Sequence, residues 1–233
     1  MITDFIKDIQ KECKQGTLDY IDGEVFEAEI HKRLIKKGYK DKEDEKEDVS
    51  IKTFLDEQKD NVLNLNEIKT NPFKNEEPSF IYQPYGSQSF PDFLIFEGDT
   101  VIPLEVKSST KGGNHPMWNG SLPRSNGLYM FVSKKDNNIK GITFFKGNLL
   151  LSESQYEKLK FYVEDIKKYT NEKLKELLKD EPNIPIVFYP RMSFNQIISC
   201  FDENQSKREN DTLNWLMTVE LIDSTVLFCF DIS

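Results

Sequence analysis

The chain has 233 residues, 37% of them hydrophobic and 30% charged, with 17 Phe and a formal net charge of −9. That is one large domain's worth of chain with ample core material, which excludes global disorder. No apolar run approaches the length of a membrane span, and the opening MITDFIKDIQKE lacks a basic leader, so a soluble, cytoplasmic protein is expected.

In EVFEAEIHKRLIKK, Phe26, Ile30 and Leu34 fall four apart beside Val25 and Ile35, which predicts an amphipathic helix over Glu24–Lys37 ending at Gly38. From Lys40 to Asp48 nearly every residue is charged, and the chain stays polar to Pro78. Residues 40–78 therefore read as an acidic polar insertion, a solvated loop and then a helix near Ile51–Leu65. The pattern then turns β-rich: FPDFLIF, TVIPLEVK after the turn Glu97-Gly98-Asp99, GLYMFVS, and GITFFKGNLLL. These runs predict a central sheet of four strands joined by antiparallel hairpins.

Ser152 is placed to cap a long helix over Glu153–Lys179, with Tyr156, Leu159, Val163, Ile166, Leu174 and Leu177 on one face. That face is expected to pack on the sheet. The C-terminal part reads as strands: IPIVFY before Pro190, then WLMTVEL and TVLFCFDI joined through Ile222-Asp223-Ser224. The fold class is α/β (α+β), one domain with a mixed sheet flanked by helices. The three cysteines, Cys13, Cys200 and Cys229, have no metal-ligand spacing and read as reduced, mostly buried thiols.

No Gly-Lys-Ser/Thr phosphate loop is present, so no nucleotide cofactor is expected, and two histidines, His31 and His115, are too few for a histidine-based metal nuclease. Carboxylates are better placed. If the strands flanking Gly98-Asp99 pair, Asp92 at the start of one faces Glu105 at the end of the other. Glu105 and Lys107 then share a face, while Val106 points into the core and offers its carbonyl. Two carboxylates and a carbonyl suit a hydrated Mg²⁺, and Lys107 suits an attacking water and a phosphate.

Pro91-Asp92, twelve intervening residues and Glu105-Val106-Lys107 resemble the PD-(D/E)xK nuclease family over about the middle third of the chain. The resemblance implies a restriction-endonuclease-like core, with Asp92, Glu105 and Val106 as metal ligands and Lys107 as a catalytic group. Gly23-Glu24-Val25-Phe26-Glu27 followed by Ile30, Leu34 and Gly38-Tyr39 resembles the family's first helix, which makes Glu27 a fourth catalytic candidate.

The net charge argues against nucleic acid, yet from Pro103 to Leu150 seven basic residues (Lys107, Lys111, Arg124, Lys134, Lys135, Lys140, Lys146) meet only Glu105 and Asp136. Within this basic stretch the polar loop over residues 108–126 is expected to contact DNA through Lys111, Asn114, His115, Trp118, Asn119, Ser121, Arg124 and Asn126. Tyr189-Pro190-Arg191 and Lys207-Arg208 are weaker phosphate contacts. A stand-alone chain of this size looks like a type II restriction endonuclease, which implies a homodimer on double-stranded DNA leaving 5′-phosphate and 3′-hydroxyl ends. A structure-specific repair or recombination nuclease and a non-catalytic DNA- or protein-binding module remain open.

Overall fold

A computed structural model describes residues 1–18, 26–63, 71–119, 122–136, 138–184 and 193–225. At its centre lies FLIFE, β3 (Phe93–Glu97), with all five side chains buried. A strand buried at every position, four of its five residues apolar, needs cover on both faces, and the rest of the fold supplies it.

β3 turns at Gly98, whose φ of 51° suits a residue without a Cβ, into β4 (Thr100–Ser109). β4 is followed by β5 (Met117–Asn119), then by β6 (Leu128–Lys135), which hairpins into β7 (Asn138–Lys146). β1 (Lys40–Asp41) and β2 (Ser79–Tyr82) extend the sheet, giving the order β1-β2-β3-β4-β6-β7. The sheet is mixed: β2-β3, β3-β4 and β6-β7 are antiparallel, whereas β1-β2 and β4-β6 are parallel. The two expected antiparallel hairpins, β3-β4 and β6-β7, are present, but the sheet has six strands rather than four and the hairpins join in parallel through β4 and β6. Alternation of apolar residues identifies a strand, not its partner's direction.

One face is covered by α1 (Ile2–Gln15), α2 (Phe26–Lys36) and α5 (Gln205–Thr225), whose Ile2, Phe5, Ile6, Phe26, Ile30, Leu34 and Leu216 pack with Phe93, Ile95, Leu104 and Val106. On the other face, Ile51, Phe54 and Leu55 of α3 (Val49–Leu63) join Leu94, Phe96, Trp118, Tyr129 and Phe131. The stretch Lys40–Asp48 holds β1 and a short 3-10 turn over Glu43–Glu47 rather than a plain loop.

WLMTVEL, expected as a strand, is helical within α5, where Thr212 and Leu216 are buried four apart. The strand reading saw β-formers locally and missed the preceding QSKRENDTLN, which carries the helix into them. Residues 226–232 of the TVLFCFDI run, Cys229 among them, and the IPIVFY run after Ile184 lie outside the described residues. The strand expected through GITFFKGNLLL ends at Lys146, and Gly147–Leu149 forms a 3-10 turn.

α4 (Glu153–Asp180) begins where expected, with a capping box in which the Ser152 hydroxyl and the Gln155 side chain bond each other's backbone N–H. Its apolar face does not pack on the sheet: Tyr156 is buried, but Leu159, Ile166 and Leu177 are exposed. Periodicity marks the apolar side of a helix without specifying what covers it. Among the described residues no helix is long and apolar enough to cross a membrane. Cys200 is buried and Cys13 half-buried, both as free thiols.

Candidate metal centre

The β3-β4 register pairs Phe93 with Leu104. One step further along the same register sets Asp92 opposite Glu105. The Val106 N–H donates to Asp92 Oδ2 at 2.7 Å. A strand residue sends its N–H and C=O to the same side, so the Val106 carbonyl is directed towards Asp92 too. Pro91, next in register and joined to Phe90 by a cis bond, has no N–H to bond it. Val106 itself is buried in the core, and the Lys107 ammonium hydrogen-bonds the Glu105 carboxylate on the opposite face.

This is not a solvated sheet edge. Glu105 is 7% exposed, and its Oε2 is buried with no hydrogen-bond partner. Burial, followed by the charges of Glu105 and Glu27, pushes the Asp92 carboxyl up to about 8, against the opposing pull of the Val106 amide and Lys107. Burial also raises the Glu105 carboxyl, with Lys107 acting against the rise and Glu27 adding to it. The three carboxylates of Glu27, Asp92 and Glu105 thus feel one another with Lys107 as their near cation. That repulsion is relieved by a divalent cation between Asp92 and Glu105, to which Glu27 adds charge from further off, the three carboxylates not bringing oxygens within 4.8 Å of one another.

Glu27 reaches the site from the first turn of α2, beside the buried Phe26. Its Oε1 accepts from the Gln83 side-chain amide at 3.0 Å, and the Tyr82 hydroxyl also bonds it. Burial and then this bond raise the Tyr82 phenol. Tyr82 and Gln83 were not among the residues expected from the sequence. Their only signal there is a pair of polar residues closing a short β-run before Pro84, too common a pattern to stand out.

The loop residues divide. Two residues of the expected loop, Ser108 and Ser109, continue β4, and Met117–Asn119 form β5, paired with β8 (Ser193–Asn195). Lys111 and Asn114 are exposed, while His115 is half-buried with Nδ1 enclosed and unpartnered. Trp118 is buried edge-on against Tyr129, its centroid 5.1 Å away, and its indole N–H reaches Gln196. Arg124 bonds the Tyr156 hydroxyl and lies over that ring, and its backbone N–H donates to Tyr129 Oη at 2.6 Å. Asn126 lines a cavity of about 500 Å³ with Lys146, Asn148, Glu153 and Trp215. The Asn119 side chain, Ser121 and the Tyr189-Pro190-Arg191 segment lie outside the described residues. Lys207 is exposed, and Arg208 is paired with Asp202 at 2.9 Å.

Among the described residues, His31, Asp41 and Glu43 bring one ligand atom each within 4.8 Å of one another. They are already engaged, His31 Nε2 bonding Asp41 at 2.8 Å and Glu43 pairing with Lys46 at 3.2 Å. Comparison with known proteins finds no match among protein-family models, curated proteins or solved structures.

Proposed function

We propose that this chain is a Mg²⁺-dependent nuclease of the PD-(D/E)xK type with a restriction-endonuclease-like core, cutting double-stranded DNA at a specific site as a homodimer. The observation that carries the reading is the pairing of half-buried Asp92 with buried Glu105 across β3 and β4, Glu105 keeping an unpartnered oxygen beside the ammonium of Lys107. A purely structural ion pair would match charge for charge and needs no third carboxylate from Glu27.

Asp92, Glu105 and the Val106 carbonyl are the groups that would hold the ion, whose chemistry is to neutralise the phosphate and acidify water. The orphaned Glu105 Oε2 fits that role. Lys107 orients the attacking water and bears on the charge that builds at phosphorus. Hydrolysis forms one P–O bond from water and breaks the bond to the 3′ oxygen, which leaves protonated as a hydroxyl, so the products carry 5′-phosphate and 3′-hydroxyl ends. A two-fold protein matches a two-fold DNA site and cuts both strands with one active site per subunit. Lys111 and Asn114, exposed on the connection from β4, are the candidate DNA contacts most open to solvent, whereas Trp118 and Arg124 shape the loop from inside.

Digestion of a sequenced plasmid with Mg²⁺, followed by end mapping, tests activity, specificity and overhang together. Asp92→Ala and Lys107→Ala are each expected to lower cleavage by a factor on the order of 10³ with an unchanged circular-dichroism spectrum. Cleavage retained by either variant overturns the assignment.

A further inference from the structure

We propose that Gln83 is a positioning residue of this centre, holding the Glu27 carboxylate beside the cation site of Asp92 and Glu105, where its charge bears on the ion; the inference rests on the metal-dependent reading above. Gln83 follows directly on Tyr82, the last residue of β2, which pairs with Phe93. Its backbone N–H donates to the Asp92 carbonyl at 2.7 Å, and its side-chain amide donates to Glu27 Oε1 and to the Tyr82 hydroxyl, each at 3.0 Å. One residue thus bonds the main chain of one carboxylate and the side chain of another.

The tie matters because the two carboxylates come from opposite sides. The register places Asp92 on the face of Leu94 and Phe96, while Glu27 comes from α2, which packs on the face of Phe93 and Ile95. Nothing in the packing of Phe26, Ile30 and Leu34 aims a carboxylate around the end of the sheet. The amide of Gln83 and the hydroxyl of Tyr82 do.

The backbone at Gln83 has φ 44°, a left-handed conformation that glycine and asparagine adopt more readily. The turn itself is held by main-chain groups: the Gln83 carbonyl accepts from the Gly86 N–H at 3.1 Å, and its N–H bonds Asp92. The turn alone would be served better by glycine, so the side chain is retained for what it bonds. Residues in such conformations persist where the surroundings hold them, typically at functional sites.

The experiment measures cation binding without DNA, using Tb³⁺ luminescence sensitised by the protein's aromatic residues and its displacement by Mg²⁺. Gln83→Gly removes the amide at a position whose φ suits glycine, and it is expected to weaken Tb³⁺ and Mg²⁺ binding about 10-fold, the loss common when an outer partner of a metal ligand is removed. Glu27→Gln is expected to weaken binding at least as much, and adding Gln83→Gly to it to cost nothing further, because the amide acts through Glu27. Gln83→Asn, which tolerates the same backbone but falls short of Glu27, reproduces the loss and serves if glycine loosens the turn. If Asp92→Ala binds Tb³⁺ like the parent, the metal-centre reading itself fails. If Asp92→Ala loses binding while Gln83→Gly does not, or if the Gln83 and Glu27 losses add, the positioning role is overturned and the centre stands.

Discussion

Replacing Asp92 by Asn should stabilise the metal-free protein, and only at the upper end of the pH range. The folded state holds the Asp92 carboxyl at about 8 against an ordinary value of 3.8, chiefly because it is buried beside Glu105. Between those two values the folded chain keeps a proton that the unfolded chain has released, so stability is intact below about pH 4 and falls as pH rises towards 8. At about 1.4 kcal/mol per pH unit, the three units from about pH 4 to 7 bound the loss at roughly 4 kcal/mol. Sharing of the proton with Glu105 and partial hydration reduce the expected effect to about 2 kcal/mol. For a chain of this length that is a melting difference of about 4–8 °C. Asparagine keeps the side chain's shape and can still accept the Val106 N–H. Melting curves in EDTA at about pH 4 and pH 7.5 should coincide at the lower pH and separate at the higher, with the Asn variant above the parent. Added Mg²⁺ should raise the parent and leave the variant unmoved, because only the parent binds it. Parallel pH profiles, or an Asn variant that is less stable throughout, would refute the reasoning.

Gly147→Ala tests the approach of the loop to the sheet: an added Cβ would lie 1.8 Å from the Arg124 carbonyl oxygen and 2.9 Å from the Tyr129 ring. Both are fixed, so a loss of about 2–4 kcal/mol is expected in urea unfolding with an unchanged m-value, and a neutral result would mean the loop does not press there. Leu216→Ala should cost about 2–4 kcal/mol and Met217→Ala within about 0.5 kcal/mol, since Leu216 is fully buried and Met217 is 38% exposed. Equal losses would contradict the helical face assigned to α5.

The four longest strands and the start of α4 were legible because the sequence signals them directly: β-branched and aromatic runs bounded by turns, and Ser152 with Gln155 three residues on. What lay beyond reach was pairing. Nothing in TVIPLEVK or GLYMFVS states that they run parallel, because that is decided by where the chain between them travels. α1 was legible and passed over: Ile2, Phe5, Ile6 and Ile9 show helical spacing, and Gly16 closes it in a left-handed conformation. Asp92, Glu105 and Lys107 could be placed because they lie on a hairpin whose geometry follows from its turn. Glu27 owed its place to resemblance, and Tyr82 and Gln83 had no sequence signal, since a hydrogen bond between residues 56 apart depends on a helix and a strand end meeting in space.

The hairpin of β3 and β4 has a bearing on how the chain folds. Asp92, Glu105 and Lys107 fall within sixteen consecutive residues closed by a tight turn, so little chain entropy is lost in bringing them together. β4 and β6 pair only after the intervening eighteen residues, 110–127, have travelled back along the sheet, and Glu27 arrives only when α2 docks. Local contacts assemble Asp92, Glu105 and Lys107, and long-range ones add the third carboxylate, Glu27, and the loop beside it. Insertions in the 110–127 connection are therefore expected to leave undisturbed the hairpin that carries Asp92, Glu105 and Lys107.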